Sequence, residues 1–564
     1  MSGRTIDRAI GGCLLNVIGY FVLVALLSGL IMPMVKDVES DAPGSFHRLW
    51  VNVLAFVIII VLPAVLLYFI ARFRSKLGEP GPARTSHGSA YWGTVDGAAA
   101  AGLLLPKGQV GGFMLGRFSK DVPRNLDPRL RVERHVLTCA PTRSGKGIGC
   151  VIPHLLTYPG SVFCLDLKGE NAAVTAARRR QLGNQVAIID PFGVTGQPTR
   201  SANWIDWLDL SSPECVSEAA ALAEMLVVRS SNEESHWDDT AQSFLQGLLL
   251  YVASLSERSD RHPGRLREIL TMPEAKLLAL LERLGADTHA GYGLVARSAN
   301  IMLQKADRER SGVISTAQRH TTFLDDPRII ESLRRSEVDF NKLKTEPMTV
   351  YLVMPPDKLR SQSQYVRAVV YMALRAVLRV QGRPALPVTF VLDEFAQLGR
   401  MAAVEDAVSL LAGYGALLWL LVQDLSQLEA VYPKWRTFLA NTTMQAFGTQ
   451  DQTTARYLSE AMGSQTWLIE SSSSSSSIAP GKLSSSYSSS SSLSAHGRPL
   501  MMPDEIRRMD SSVVFVLQQG QPAYWLHRLN YLSDKETAGM GASNPMYGAV
   551  PQVAGGGILT RPST

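Results

Sequence analysis

Eight consecutive residues, Ala140-Pro141-Thr142-Arg143-Ser144-Gly145-Lys146-Gly147, have the types and spacing of a loop that cradles phosphate. They follow a short apolar run ending at Cys139 and precede a helical pattern, the context such a loop requires. Backbone N–H groups around Gly145 would form a concave anion site. The N-terminus of the following helix adds partial positive charge, and Lys146 would reach the β- and γ-phosphates. Two positions depart from the usual pattern: Ala140 replaces the first glycine, and Gly147 replaces the serine or threonine after the lysine. That hydroxyl normally helps to hold Mg²⁺. A water, Thr142 or Ser144 could fill the gap, and the sequence leaves the choice open.

A second constellation lies far downstream. Val388-Thr389-Phe390-Val391-Leu392 reads as a buried strand delivering Asp393 and Glu394 at its C-terminal end, where open α/β sheets bind ligands. Asp393 is expected to hold Mg²⁺ and Glu394 to polarise the attacking water. Gln423 closes the next apolar strand, positioned to sense a γ-phosphate. Together these residues point to ATP hydrolysis with Mg²⁺. Single acids after strands are common; this pair, in a chain that also carries a lysine-bearing glycine loop, is much less so. The histidines are scattered and no HExxH occurs, so zinc hydrolysis has no support. The cysteines Cys13, Cys139, Cys150, Cys164 and Cys215 form no CxxC pair and read as small buried hydrophobes in a reducing compartment.

The elements that must position these residues are also legible. Short apolar runs recur at 135–139, 161–166, 185–190, 348–354, 388–393, 417–422 and 513–517. They are nearly continuous rather than alternating, as expected of strands buried on both faces. Helical patterns separate several of them, which predicts an α/β fold with a mainly parallel sheet. Residues 212–318 break this rhythm with Ala-, Leu-, Glu- and Arg-rich helical periodicity and read as an all-α insertion. The separation of Lys146 and Asp393 fits one sheet split by that insertion, and there is no second phosphate-binding loop. Serine tracts at 471–477 and 484–494 have no composition from which to build a core and are expected to form a loop. The Gly/Pro-bearing stretch 539–564 is expected to be a flexible tail.

Two further runs, 9–34 and 49–70, lack charged side chains and exceed the roughly 20 residues a helix needs to cross a bilayer. Arg4 and Arg8 precede the first; Arg72, Arg74 and Lys76 follow the second. By the positive-inside rule this is a hairpin anchor with both ends cytosolic, rather than a cleaved signal peptide. The net charge of +6 and pI near 9.0 favour contact with an anionic surface, nucleic acid or lipid headgroup, without choosing between them.

With these motifs in place, the chain resembles the type IV coupling proteins, the TraG-like ATPases of conjugation and type IV secretion. The likeness covers most of its length. It rests on the phosphate loop followed by Val151-Ile152-Pro153, including the glycine after the lysine. It also rests on Asp166-Leu167-Lys168-Gly169-Glu170, Asp190-Pro191-Phe192 and 310–316. Further on come Leu392-Asp393-Glu394-Phe395, Gly413-Tyr414-Gly415, Gln423-Asp424, and Arg498-Pro499-Leu500 ahead of Pro503-Asp504-Glu505. The twin-span N-terminus and Gly88-Ser89-Ala90-Tyr91-Trp92-Gly93 look like the family's opening segments.

The resemblance implies a RecA-like P-loop NTPase core with an all-α insertion domain and an N-terminal two-helix transmembrane hairpin. The divisions would be an anchor at 1–76, the two parts of the nucleotide-binding domain at 77–211 and 319–538, the all-α domain at 212–318 and the tail. It implies a homo-hexamer at the bacterial inner membrane. That ring would recruit a relaxosome, DNA with its attached relaxase, to a type IV secretion channel and use ATP to help translocate it. Two alternatives stay open: the same ATPase carrying protein effectors without DNA, and a receptor that binds nucleotide without hydrolysing it. Ring ATPases commonly borrow an arginine from a neighbouring subunit; Arg400 is a candidate here, with Arg308, Arg310 and Arg319 as alternatives. Arg178-Arg179-Arg180 reads as a charged helix end, and His236-Trp237-Asp238 as packing plus a cap.

Overall fold

A computed structural model describes residues 85–546, apart from 120, 229–234 and 479–484. The apolar spans at 9–34 and 49–70 lie outside the described residues. Among the described residues no helix is long and apolar enough to cross a membrane. The described residues from Ser86 onward form one compact unit.

Among the described residues thirteen strands are present: β1 Phe113–Arg117, β2 Arg129–Val132, β3 Val136–Cys139, β4 Val162–Asp166, β5 Gln185–Ile189, β6 Met348–Val353, β7 Val388–Leu392, β8 Ala416–Val422, β9 Thr443–Ala446, β10 Ser464–Ile478, β11 Ser485–Pro499, β12 Val513–Leu517 and β13 Tyr524–His527. Eleven of them make one sheet in the order β2-β1-β13-β12-β9-β3-β8-β7-β4-β6-β5. From β9 to β5 every pairing is parallel, and from β2 to β9 every pairing is antiparallel. The seven apolar runs of the sequence all become strands, six of them in the parallel block. The antiparallel flank is built mostly from strands too short and mixed in composition to stand out.

Side-chain alternation explains why the parallel strands are apolar throughout. Phe390, Leu392, Leu418, Leu420 and Val422 point into one buried cluster, while Val391, Leu417, Trp419 and Leu421 point into another on the opposite face. Both faces are covered, so neither set of alternating positions can be polar. Between β5 and β6 the described residues form helices and no named strand. Leu222, Phe244, Leu248, Leu281, Met302 and Val313 from those helices join the first cluster, so the helical region shares a core with the sheet. Arg367, 2 % exposed on the helix Ser363–Arg379, ties the two together. It donates to the carbonyls of Met225 (2.9 Å) and Glu224 (3.2 Å), where the helix Glu214–Leu226 ends, and to that of Arg400 (2.7 Å) beyond β7. A buried guanidinium keeps its charge there because carbonyls replace the lost water.

Two sequence expectations need correction. The serine tracts, expected to be a loop, form the antiparallel pair β10–β11, in unbroken register from Ser464↔Pro499 to Ile478↔Ser485. A ladder needs only backbone donors and acceptors, so a core-poor composition does not prevent it. The expected flexible tail is docked where it is described. The Ala542 N–H donates to the Val174 carbonyl (2.8 Å), and Asn544 is only 1 % exposed.

Candidate functional site

Register decides which strand ends meet. Cys139 lies beside Val422, Leu392 beside Leu420, and Leu165 beside Leu392. The residues that follow these strands therefore emerge along one rim: the phosphate loop after β3, Gln423 after β8, Asp393 and Glu394 after β7, and Asp166 closing β4. Ala140 is fully buried and its N–H continues the ladder to the Val422 carbonyl (2.9 Å). The Ser144 N–H then turns back to the Pro141 carbonyl (3.2 Å). Arg143 (φ 62°) and Gly145 (φ 86°) both adopt left-handed backbone. For an arginine this conformation is unfavourable and marks a loop shaped for a purpose. The helix that follows opens on a widened first turn, Ile152 N–H to Gly147 carbonyl. The first N–H groups of a helix have no acceptor within it, so they remain available to an anion.

Lys146 extends across this rim to Asp393 (2.8 Å) and Glu394 (2.5 Å). Burial lowers the tendency of the ammonium to stay charged, yet the two carboxylates outweigh it and hold its pKa above the ordinary lysine value. Glu394 is 8 % exposed and also left-handed (φ 50°). Its second oxygen accepts from Gln423 Nε2 (3.1 Å) and Gln397 Nε2 (3.2 Å). Asp393 Oδ1 accepts the Glu394 N–H (3.0 Å). On β4, burial pushes the Asp166 carboxyl up to about 7; donation from the Ala172 and Lys168 N–H groups opposes the shift, and the charges of Asp393 and Glu170 add to it.

The predicted residues Lys146, Asp393, Glu394 and Gln423 are thus brought into mutual contact. Thr142 and Arg143 stand exposed on the loop's outer side. Ser144 Oγ is buried without a hydrogen-bond partner in the structure. The loop, the orphaned hydroxyl and the paired carboxylates together fit a nucleoside triphosphate with its divalent cation. Three of the arginine candidates are paired with acids outside this cluster. Arg400 pairs with Glu405 (2.9 Å), Arg319 with Asp238 (3.0 Å), and Arg310 with Asp307. Arg179 is fully buried and donates to Thr349 Oγ1 (2.8 Å) and Asn184 Oδ1 (2.8 Å) in the interior, away from any phosphate.

A family model described as type IV secretory system conjugative DNA transfer matches residues 98–552. The chain belongs to that family. The VirD4 protein of Rhizobium rhizogenes is 27% identical over 469 residues, covering 80% of this chain and 66% of that protein. The conjugal transfer protein TraG of Escherichia coli is 29% identical over 463 residues, covering 75% of this chain and 71% of that one. The chain thus spans about two thirds of the length of these relatives. Among solved structures, the conjugative coupling protein TrwBdeltaN70 in complex with sulphate superposes with a TM-score of 0.55. It is 15% identical, over 75% of this chain and 96% of its own. TrwB in complex with ADP and Mg²⁺ superposes at 0.53, also at 15% identity, over 75% and 95%. This likeness shows the fold, a RecA-like α/β core.

Sequence reading missed two residues that contact this rim and its loop. Gln397 lies one turn beyond Glu394, and its i+3 spacing was a usable signal. Arg528 was not findable by spacing. It follows β13, 384 positions from Ser144, and its Nη1 donates to the Ser144 carbonyl. Its side chain lies so close to Gly145 and Gly149 that a Cβ at either position would collide with it. Those glycines are small because an arginine crosses them.

Proposed function

We propose that the chain is an ATP-hydrolysing coupling protein that brings a conjugative nucleoprotein to a type IV secretion channel and helps to drive it through. The observation that carries this reading is the convergence of Lys146, Asp393, Glu394 and Gln423 on one sheet rim in a member of the conjugative DNA transfer family. Membership of the conjugative DNA transfer family supports the cargo class, and the fold shared with TrwB in complex with ADP and Mg²⁺ supports the nucleotide. Mg²⁺, when bound with the nucleotide, neutralises developing charge on the phosphates; Asp393 is the residue to hold it. Lys146, released from its carboxylate partners, takes the β- and γ-phosphate oxygens. Glu394, freed on Oε1 by that exchange, accepts the proton of the attacking water. Gln423 and Gln397 hold its Oε2 and so fix its direction.

Assembly as a hexamer, anchoring of 1–76 in the inner membrane, and substrate contact through the helical region 212–318 belong to the same proposal. The domain division of the core into 77–211 and 319–538 is supported by the strand order, which threads both parts into one sheet. Glu394→Gln should bind nucleotide but lose turnover by on the order of 10²–10⁴-fold, with transfer lost in parallel. Undiminished turnover and transfer in that variant would remove the hydrolytic role and favour a receptor that only binds nucleotide. Stimulation of turnover by DNA would mark nucleoprotein as the cargo; stimulation by effector tails alone would mark protein.

A further inference from the structure

Gly147 leaves the phosphate loop without the hydroxyl that usually reaches the cation. A Cβ built at Gly147 would meet one atom within 4 Å beyond its chain neighbours, Glu170 Oε2 at 3.9 Å. The space a serine side chain would enter is therefore the space that this carboxylate faces. Glu170 opens the helix Glu170–Gln181 behind a left-handed Gly169 (φ 67°), just after β4, the strand next to β7, which Asp393 follows. Its other oxygen, Oε1, accepts from Asn544 Nδ2 at 2.6 Å. Asn544 is itself pinned: it is 1 % exposed, its Nδ2 also donates to Tyr531 Oη (3.2 Å), and its Oδ1 accepts the Met546 N–H (2.9 Å).

An acid in the first turn of a helix needs no special purpose, since it complements the helix dipole. The dipole, however, does not account for an aiming arm brought from 374 positions away. Nor does it account for the partner's chemistry. Among the described residues no lysine, arginine or histidine pairs with Glu170; a neutral amide steadies one oxygen and leaves the negative charge uncompensated beside the loop. Mg²⁺ is commonly held by one or two carboxylates together with substrate phosphates and waters. We infer that Glu170 supplies the oxygen that Gly147 lacks, holding the divalent cation of a bound nucleoside triphosphate together with Asp393, directly or through one water of its shell. Asn544 is the positioning residue for that carboxylate. This rests on the nucleotide-site reading given above.

The test is cation dependence of nucleotide binding, read with a fluorescent non-hydrolysable ATP analogue on the full chain, with EDTA and across a Mg²⁺ titration. Mn²⁺ paramagnetic resonance provides the second readout. Glu170→Gln should leave cation-free binding of the analogue within about twofold of the parent. It should weaken Mg²⁺ and Mn²⁺ binding to the complex by about 10- to 100-fold, the range typical of losing a residue that supports a metal. Adding Gly147→Ser to Glu170→Gln should recover part of the loss, because a hydroxyl oxygen then faces the same space in place of the lost carboxylate charge. Asn544→Ala should shift cation affinity in the same direction by a smaller factor. Unchanged Mg²⁺ dependence in a folded Glu170→Gln chain would overturn the inference while leaving the nucleotide site intact. Failure of the parent chain to bind the analogue at all would overturn the nucleotide-site reading and this inference with it.

Discussion

The two rims of the parallel block make a direct comparison. At the C-terminal rim, Lys146 is shared between Asp393 and Glu394, and Gln423 donates to Glu394. At the N-terminal rim the polar groups are spent on backbone. Ser161 Oγ donates to the Glu346 carbonyl (2.9 Å), and His135 Nδ1 accepts the Leu418 N–H (2.9 Å). That second rim also carries a large cleft, 770 Å³, lined by residues such as Arg134, Asn441, Thr442 and Gln518, with no carboxylate in its wall. Cavity size is therefore a poor guide to chemistry in this fold. Strand direction is a better one: every parallel strand sends its chain onward from the same edge, so turns that need charge can be pooled there.

The comparison is broken most severely at Lys146. Lys146→Ala should reduce nucleotide turnover by on the order of 10³-fold, the scale for losing a key charge-stabilising donor. It should also leave Asp393 and Glu394 facing each other without their shared cation. If the C-terminal rim is held together by that cation, thermal stability of the variant will improve as pH falls and Asp393, whose pKa burial already raises, takes up a proton. A turnover loss with no change in the pH dependence of melting would show that the acids are kept apart by the fold instead.

The quiet rim is sharpened by His135. It is 3 % exposed, and burial lowers its pKa to about 4 from an ordinary value of 6.5. The unfolded chain takes up a proton between those values while the folded chain resists, so stability is complete above pH 6.5 and is lost as pH falls toward 4. The full difference is about 3 kcal/mol at 1.36 kcal/mol per pKa unit. His154, buried and likewise depressed, contributes with the same sign. His135→Asn keeps an acceptor for the Leu418 N–H and removes the titration. Its denaturation midpoint should lose less stability than the parent between pH 7 and pH 5, with turnover per folded molecule unaltered.

How much of this was legible in the sequence follows from the same contrast. The parallel strands announced themselves because burial on both faces forbids polar residues along runs such as Leu417–Val422. The acids announced themselves because they close such a run, and the lysine because it sits in the glycine-bearing loop that follows one. The antiparallel strands did not. Arg129-Leu130-Arg131-Val132 carries two arginines that pair with Asp127 (2.6 and 3.1 Å), and this local arrangement masks a strand behind a charged surface pattern. The serine ladder was hidden for another reason: composition reports what can be buried, and a two-stranded ribbon closed by backbone bonds need not bury its side chains. Asn544 escaped because its stretch is rich in glycine and proline, although two hydrogen bonds are enough to fix it against Glu170 and Tyr531.

Arg528 is where the two halves of the sheet meet, and it sets the smallest of the expected effects. It leaves the antiparallel strand β13, yet its guanidinium holds the outer carbonyl of Ser144 in the loop served by the parallel strand β3. The N–H groups of the loop face an anion only if its carbonyls are held away, so this contact acts on binding geometry rather than on the reacting phosphate. Arg528→Ala should raise the KM for nucleotide about tenfold, equivalent to about 1.4 kcal/mol, and change the turnover number at saturation much less. Arg528→Lys should recover only part of the loss, since one point charge does not reproduce the planar fork that lies along Gly145 and Gly149. A fall in turnover number with KM unchanged would move Arg528 from the back of the loop to the phosphate itself, and the antiparallel flank would then contribute directly to the chemistry of the C-terminal rim.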